Sequence, residues 1–265
     1  MRTLGALVRA CHPEPTLLVT LVATALAASV DARTGWVFTA FLSGQLTTGW
    51  TNDWRDRERD LAAGRTDKPV GLSASVVGRA AVAAGFACVP LSLAMGLRAG
   101  LWHLVAVATA AAYNLRLKST ALSWLPYAVS FGLVPSVVTL GVGTWAPWWA
   151  SAAGALLGVG AHLANTLPDL DDDLATGVRG LPHRLGRRVS AASAALLLLG
   201  ATALLALGPG APGPVAVAVL VVAAGVVTAG LVAGRRPGSR APFRAALVVA
   251  ALDVALLVAR GTALA

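Results

Sequence analysis

Charge is what this chain has least of. Of its 265 residues only 12% are Asp, Glu, Lys or Arg, whereas 57% are hydrophobic and the mean hydropathy is +0.73. Soluble domains carry roughly 25% charged residues, so too few polar side chains are present to coat a water-facing surface. Cysteine is nearly absent too. Cys11 and Cys88 make neither a disulfide framework nor a zinc cluster. The four histidines (His12, His103, His162 and His183) are scattered, which also argues against zinc. No low-complexity tail, coiled coil or exact internal repeat is present, and no polar stretch is long enough for a second domain. Residues 1–265 read as one unit.

What is there is a succession of apolar runs, at about 16–30, 35–51, 72–96, 100–113, 121–142, 148–166, 190–208, 214–233 and 243–260. At ~20 residues per span these account for nearly the whole chain. They predict an all-α membrane protein, a bundle of about nine transmembrane helices around a central cavity opening to the cytoplasmic side. Ala and Gly dominate the runs, as in Ala150 to Gly160, which suits close helix packing in lipid. Gly208 to Pro214 is a plain turn signal. The first run, preceded by Arg2 and Arg9, has the outline of a signal peptide but reads better as a retained anchor helix.

The basic residues are sorted by side. The N-terminal segment and the breaks after spans two, four, six and eight hold 18 of the 21 Lys and Arg residues; Arg33, Arg98 and Arg260 lie opposite. By the positive-inside rule the N-terminus and these loops are cytoplasmic, in the plasma (inner) membrane. Topology therefore explains the +9 net charge without nucleic acid.

Acids are scarcer and more telling. Of 12 Asp and Glu residues, five lie in 53–67 and four in 169–173, both at cytoplasmic ends of expected spans. One spacing recurs: Asn52-x3-Asp56-x3-Asp60 and Asn165-x3-Asp169-x3-Asp173. Steps of four turn a helix by only ~40° each, so each triad would share one helix face. Such oxygen donors suit a hard cation, and Mg²⁺ in particular is commonly held by one or two carboxylates while it bridges a substrate phosphate.

A single patch of this kind could be a wet helix end whose acids pair with Arg55, Arg57 and Arg59. Two with the same spacing on the same side favour a site. Arg65 and Lys68, Arg116 and Lys118, and Arg179 and Arg184 stand close to them in sequence. Carboxylates for Mg²⁺ ringed by cations describe a diphosphate site, and the apolar bundle below would take a hydrophobic tail.

At these residues the chain resembles the UbiA superfamily of intramembrane prenyltransferases. Asn52 to Asp60 matches that family's NDxxDxxxD motif, followed by Gly64-Arg65-Thr66-Asp67-Lys68-Pro69. Pro168-Asp169 to Gly177 with Leu181-Pro182-His183-Arg184-Leu185-Gly186 is similar to its PDxxxDxxxG…LPxxLG stretch, and Tyr113 to Lys118 sits where the family has a Tyr…Lys loop. Two departures stand out: Asp171 and Asp172 crowd the second patch, and Gly180 occupies a position where Thr is commoner. The likeness runs from about residue 16 to 260. It implies Mg²⁺ on Asn52, Asp56, Asp60, Asn165, Asp169 and Asp173. It also implies catalytic roles for Asp56, Asp60, Asp169, Asp173 and Lys118, and a diphosphate met by Asn52, Arg65, Lys68, Tyr113, Arg116, Asn165 and Arg179.

The reaction so implied opens a prenyl diphosphate of C10–C20 or longer and passes the prenyl group to a small lipophilic or aromatic acceptor within membrane lipid. A UbiA-type terpene cyclase, in which the chain's own double bond attacks, is the first alternative, and a non-catalytic polyprenyl-lipid carrier the second. Span two offers Gln45 rather than a cation for a benzoate carboxylate. Trp50, Trp54, Tyr113, Trp124 and Tyr127 are the expected aromatic neighbours of an allylic cation. Trp145, Trp148 and Trp149 suit a far-side interfacial belt. Asp253 and Arg79, placed inside spans, each need a partner, and His162 is one turn from Asn165.

Overall fold

The computed structural model describes residues 2–62, 73–208, 210–235 and 239–264, and the side chains of 59–62 lie outside that description. Arg65 and Lys68 therefore lie outside the described residues, as does the Asp60 side chain. The described residues form eleven α-helices: α1 (Arg2–Ala10), α2 (Pro13–Ser29), α3 (Thr34–Ala62), α4 (Ala74–Leu93), α5 (Leu97–Leu115), α6 (Leu125–Leu140), α7 (Trp148–Thr166), α8 (Leu170–Ala175), α9 (Leu181–Leu207), α10 (Pro214–Ala233) and α11 (Ala241–Ala259). Each apolar run of the sequence falls in a helix of its own. The short α1 and α8 are the two that those runs do not anticipate. Four helices, α4, α9, α10 and α11, are long and apolar enough to cross a membrane, and α2 and α6 are shorter apolar helices.

Packing follows the order of the chain. α3 lies against α2 and α4, α5 against α6, α6 against α7, α7 against α9, and α10 and α11 close on α9. The centre is filled by Leu26, Val37, Phe41, Val137, Val138, Leu163, Leu198, Leu205 and Val249. The outside is apolar as well: Phe86 is 76% exposed and Leu196 70%, the inside-out pattern expected of helices facing lipid. Asp253 finds its partner in the interior, where its Oδ1 accepts a 2.6 Å hydrogen bond from Thr202 Oγ1 of α9. Arg79 is not in the interior. It is exposed in the first turns of α4, and its Nε donates to the Ser75 carbonyl at 3.2 Å.

Three features set up the site. At ~1.5 Å per residue the 29 residues of α3 extend well beyond the ~30 Å hydrocarbon core, so its Asn52 end projects past the apolar segment. On α7, Gly158 faces α6 so closely that a Cβ there would lie 2.6 Å from the Tyr127 carbonyl oxygen. The absent side chain lets α6 and α7 meet with Tyr127 against His162. α9 is bent at Gly186, whose φ of 77° suits glycine, and this sets its first turn apart from the long apolar remainder.

One expectation is corrected. The second triad does not share a single helix face, because α7 stops at Thr166 and the chain turns through 167–169 before α8 begins. Pro168 explains the break: it lacks a donor, and its ring collides with the carbonyl four residues back. The first triad does lie on one uninterrupted helix.

Candidate active site

The first patch is held by its neighbours on α5. Asn52 Nδ2 donates to Asn114 Oδ1 at 3.2 Å, and Asn114 Nδ2 donates to the Thr48 carbonyl at 2.9 Å. Two amides thus lock the charged end of α3 to the last turn of α5. Immediately beyond, the chain makes a 3₁₀ turn (Leu117–Ser119) that brings the Lys118 ammonium onto the Asp56 carboxylate in an ion pair. Asp56 is only 5% exposed, and so is Asp53. Asp53 lies ~100° around α3 from Asn52, so its burial shows that this side of the helix is covered as well.

The second patch is more open. Asn165 and Asp169 are exposed. Asp173 turns inward, where its Oδ2 lies 3.2 Å from His183 Nε2 in the first turn of α9. The extra carboxylates sort themselves out: Asp171 pairs with Arg187 at 2.8 Å at the exposed surface, and Arg187 also donates to the Leu167 carbonyl. Asp172 is exposed.

Tyr113 brings the patches together. Its phenol is within electrostatic reach of both Asp56 and Asp173. Beside it a cleft of about 350 Å³ is lined by Arg55, Glu58, Asn114, Arg116, Lys118 and Thr176, among others. Residues from the end of α3, the turn after α5 and the end of α8 thus share one opening, with three cations against one acid in its wall. Arg116 and Lys118 are where an anion would meet them. Asn52, Asp56, Tyr113, Asn165, Asp169, Asp173 and Arg179 do not themselves line this cleft, and the Arg179 carbonyl accepts from Arg184 Nε at 2.9 Å.

Ser123 ties the loops together from below. It is fully buried, accepts the Leu181 N–H at 2.9 Å and bonds His162 Nε2 at 3.1 Å. Gly180 belongs to the same junction, since a Cβ there would lie 2.6 Å from the Lys118 carbonyl oxygen. Any side chain at 180 would push on the turn that carries Lys118.

Of the expected aromatics, Tyr113 and Tyr127 meet edge to face at 5.1 Å, and His162 stacks on Tyr127 at 4.5 Å with Phe131 on the other side at 6.2 Å. Trp50 is used differently: its Nε1 donates to the Leu7 carbonyl and straps α1 to α3. Trp54 packs against Gly78 of α4, and Trp124 is half-buried. Of the three tryptophans expected in a far-side belt, Trp145 and Trp148 are exposed, whereas Trp149 is buried against Gly208 at the end of α9.

Among the described residues no three His, Cys, Asp or Glu side chains converge closely enough to form a metal cage. The donors present are carboxylate and amide oxygens divided among α3, the end of α7 and α8 with its N-cap. That is the set Mg²⁺ uses when a substrate phosphate completes its shell, so the residues fit this ion. Sequence reasoning missed Asn114, Ser123 and His183. All three are polar side chains at the ends of apolar runs or inside a motif's variable positions, and only their long-range partners mark them.

Two carboxylate-bearing segments and a cationic cleft thus lie toward one end of a helical bundle, four of whose described helices are long and apolar enough to cross a membrane. The chain belongs to the UbiA prenyltransferase family, whose model matches residues 15–252. Among solved structures it is similar to a UbiA homologue from Archaeoglobus fulgidus bound to GPP and Mg²⁺, with a TM-score of 0.73 and 15% identity over 97% of this chain and 99% of that one. It is also similar to the apo UbiA homologue from Aeropyrum pernix (TM-score 0.70, 20% identity, 93% and 98% covered). A third likeness is to a digeranylgeranylglyceryl phosphate synthase (TM-score 0.69, 13% identity, 98% and 99% covered). At these identities the likeness is one of fold. No curated protein matches the sequence.

Proposed function

We propose that this protein is a Mg²⁺-dependent intramembrane prenyltransferase that opens a prenyl diphosphate of C10–C20 or longer and transfers the prenyl group to a small lipophilic or aromatic acceptor. The observation that carries the reading is the ion pair of Asp56 with Lys118, a residue that with Arg55 and Arg116 walls a cationic cleft. Family membership and the solved relative that holds GPP and Mg²⁺ support it. One bundle of nine spans, residues 1–265, with its active end at the cytoplasmic face of the plasma (inner) membrane, is the architecture this reading takes.

In this scheme Asn52, Asp56, Asp60, Asn165, Asp169 and Asp173 are the ligand set, and the ion, when bound, supplies positive charge to the leaving diphosphate. Lys118, with Arg116 and Arg55 on the cleft wall, meets the phosphate oxygens, where negative charge grows as the C–O bond breaks. Arg65, Lys68 and Arg179 are cations for the same anion as it enters and leaves. The prenyl chain extends into the bundle, whose apolar walls keep water from the allylic cation. The ring of Tyr113 steadies that cation by ~0.5–2 kcal/mol, and Tyr127, itself stacked with His162 and Phe131, backs it. A nucleophilic carbon or oxygen of the acceptor then forms the new bond and gives up its proton.

The test is incubation of purified protein in detergent with C10, C15 and C20 diphosphates and Mg²⁺, with and without a panel of aromatic and alcohol acceptors. Prenylated acceptor with no acceptor-free product is the expected result. A hydrocarbon or terpene alcohol above the solvolysis background, formed without acceptor, would replace transfer by cyclisation. Binding of the diphosphate with no turnover under any condition would leave only a carrier.

A further inference from the structure

The Leu181 to Gly186 segment contributes a side chain that belongs to neither acidic patch. His183 sits in the first turn of α9 with its side chain 2% exposed. Its surroundings fix it from several directions. The Leu181 N–H is held by Ser123, Ser190 Oγ donates to the Pro182 carbonyl at 3.0 Å across the bend at Gly186, and His162 is an electrostatic neighbour. The chain after α8 folds back with Val178 N–H donating to the Asp173 carbonyl at 2.9 Å, which sets Asp173 over this turn.

The two ring nitrogens are treated unequally. Nε2 is 3.2 Å from Asp173 Oδ2, whereas Nδ1 is buried with no hydrogen-bond partner. An imidazole kept only to fill space would leave both nitrogens unpaired, and an apolar residue would do that work without the desolvation. The contact with Asp173 is what the ring provides. Against a carboxylate oxygen, Nε2 is the donor.

We propose that His183 is a positioning residue that aims the Asp173 carboxylate at the divalent cation; this rests on the reading of Asp173 as a metal ligand. The Nε2–H occupies Oδ2 and leaves Oδ1 as the oxygen that would ligate an ion; ligating carboxylates are commonly hydrogen-bonded and thereby oriented in this way. The two halves of the site are supported by different chemistry. Asp56 is met by a cation, Lys118, which competes with a metal for the same oxygens. Asp173 is met by an imidazole N–H that orients it. Asp171, two residues away, is pinned outward by Arg187.

The experiment is a titration of the purified full-length protein with Mn²⁺, read by EPR as loss of the free-ion signal, beside the Mg²⁺ dependence of turnover. His183→Asn and His183→Gln are compared: the Gln amide reaches the position of Nε2, while the Asn amide falls short of Asp173. His183→Asn should weaken Mn²⁺ binding by about 10- to 100-fold and raise the Mg²⁺ needed for half-maximal turnover by a similar factor. KM for the C15 diphosphate at saturating Mg²⁺ should stay within about twofold of wild type, and His183→Gln should restore most of the affinity. Equal Mn²⁺ affinity in the two variants overturns the proposal, because a structural role would not distinguish amides of different reach. Asp173→Ala is the control on the reading beneath it. If that variant binds Mn²⁺ as wild type does, Asp173 is not a ligand; if it loses binding while His183→Asn does not, only the role of His183 fails.

Discussion

The Lys118 ammonium is paired with the Asp56 carboxylate, 62 residues earlier in the chain, at the mouth of the cleft that Lys118 lines. The pair ties the turn after α5 to α3 and neutralises a carboxylate that the proposed chemistry needs for a metal. In that scheme a cation and Mg²⁺ would contend for the same oxygens, and the diphosphate would resolve the contest by drawing the ammonium to itself.

Removing Lys118 should therefore act in two opposite ways. Lys118→Ala should raise KM for the prenyl diphosphate and lower kcat, because the leaving group carries more charge in the transition state than in the substrate. Its Mg²⁺ requirement at saturating substrate should fall, since Asp56 is freed. A requirement that rises instead would make Lys118 a prop for the loop. Lys118→Arg should recover part of the activity, because a planar fork does not replace an ammonium in a tight site.

Asp56→Asn and Asp169→Asn keep side-chain volume and remove charge. Each should bring turnover below a tenth of wild type in protein that still extracts and runs as a single species. A tenfold loss is only ~1.4 kcal/mol of barrier, far less than a missing metal ligand costs. Retention of more than that tenth in either variant would sink the two-patch model.

Gly180→Ala puts a methyl group 2.6 Å from the Lys118 carbonyl oxygen. Backbone must move to relieve the contact, at ~1–3 kcal/mol for a crowded interior position. The expected outcome is a lower thermal midpoint together with reduced kcat. A variant with unchanged midpoint and rate would show that the Lys118 turn shifts freely and is not set by this junction.

Thr202→Val deprives the buried Asp253 carboxyl of its one hydrogen bond and should cost ~1–3 kcal/mol of stability, read as a lowered unfolding midpoint in detergent. The double variant Thr202→Val/Asp253→Leu removes both polar groups and should recover most of that loss. If the double variant is no more stable than Thr202→Val alone, the pair has a purpose other than mutual satisfaction.

Sidedness can be checked by thiol labelling in intact cells. A Cys at Gly143 should react with a membrane-impermeant reagent, and one at Thr176 should be shielded until the cells are opened. The native Cys11 and Cys88 are both buried and give a low background. The reverse pattern would overturn the positive-inside reading.

The helices were legible in the sequence because membrane spans announce themselves by composition, and each apolar run became a helix. The first triad was legible for a second reason: α3 continues unbroken from the apolar segment through Asp60, so four-residue spacing keeps its geometric meaning. For the second triad the same arithmetic fails at Pro168, which lies in the turn that ends α7 and resets the periodicity. The partners of the acids were not legible at all. Asn114 on Asn52, Lys118 on Asp56 and His183 on Asp173 are contacts between separate helices and turns, and nothing local marks them. Crowding in the second patch likewise made sense only once Arg187 was seen to draw Asp171 outward.

The break at Pro168 makes the two acidic patches mechanically unlike. Asn52 and Asp56 ride on a 29-residue rod clamped by α2, α4 and α5, whereas Asp173 rides on a six-residue helix slung between two turns and steadied by α9. One jaw is fixed to the frame and the other is jointed. On the proposed reading, differences in the size or charge of what is gripped would register as displacement of α8, with α3 as the reference against which that displacement is made.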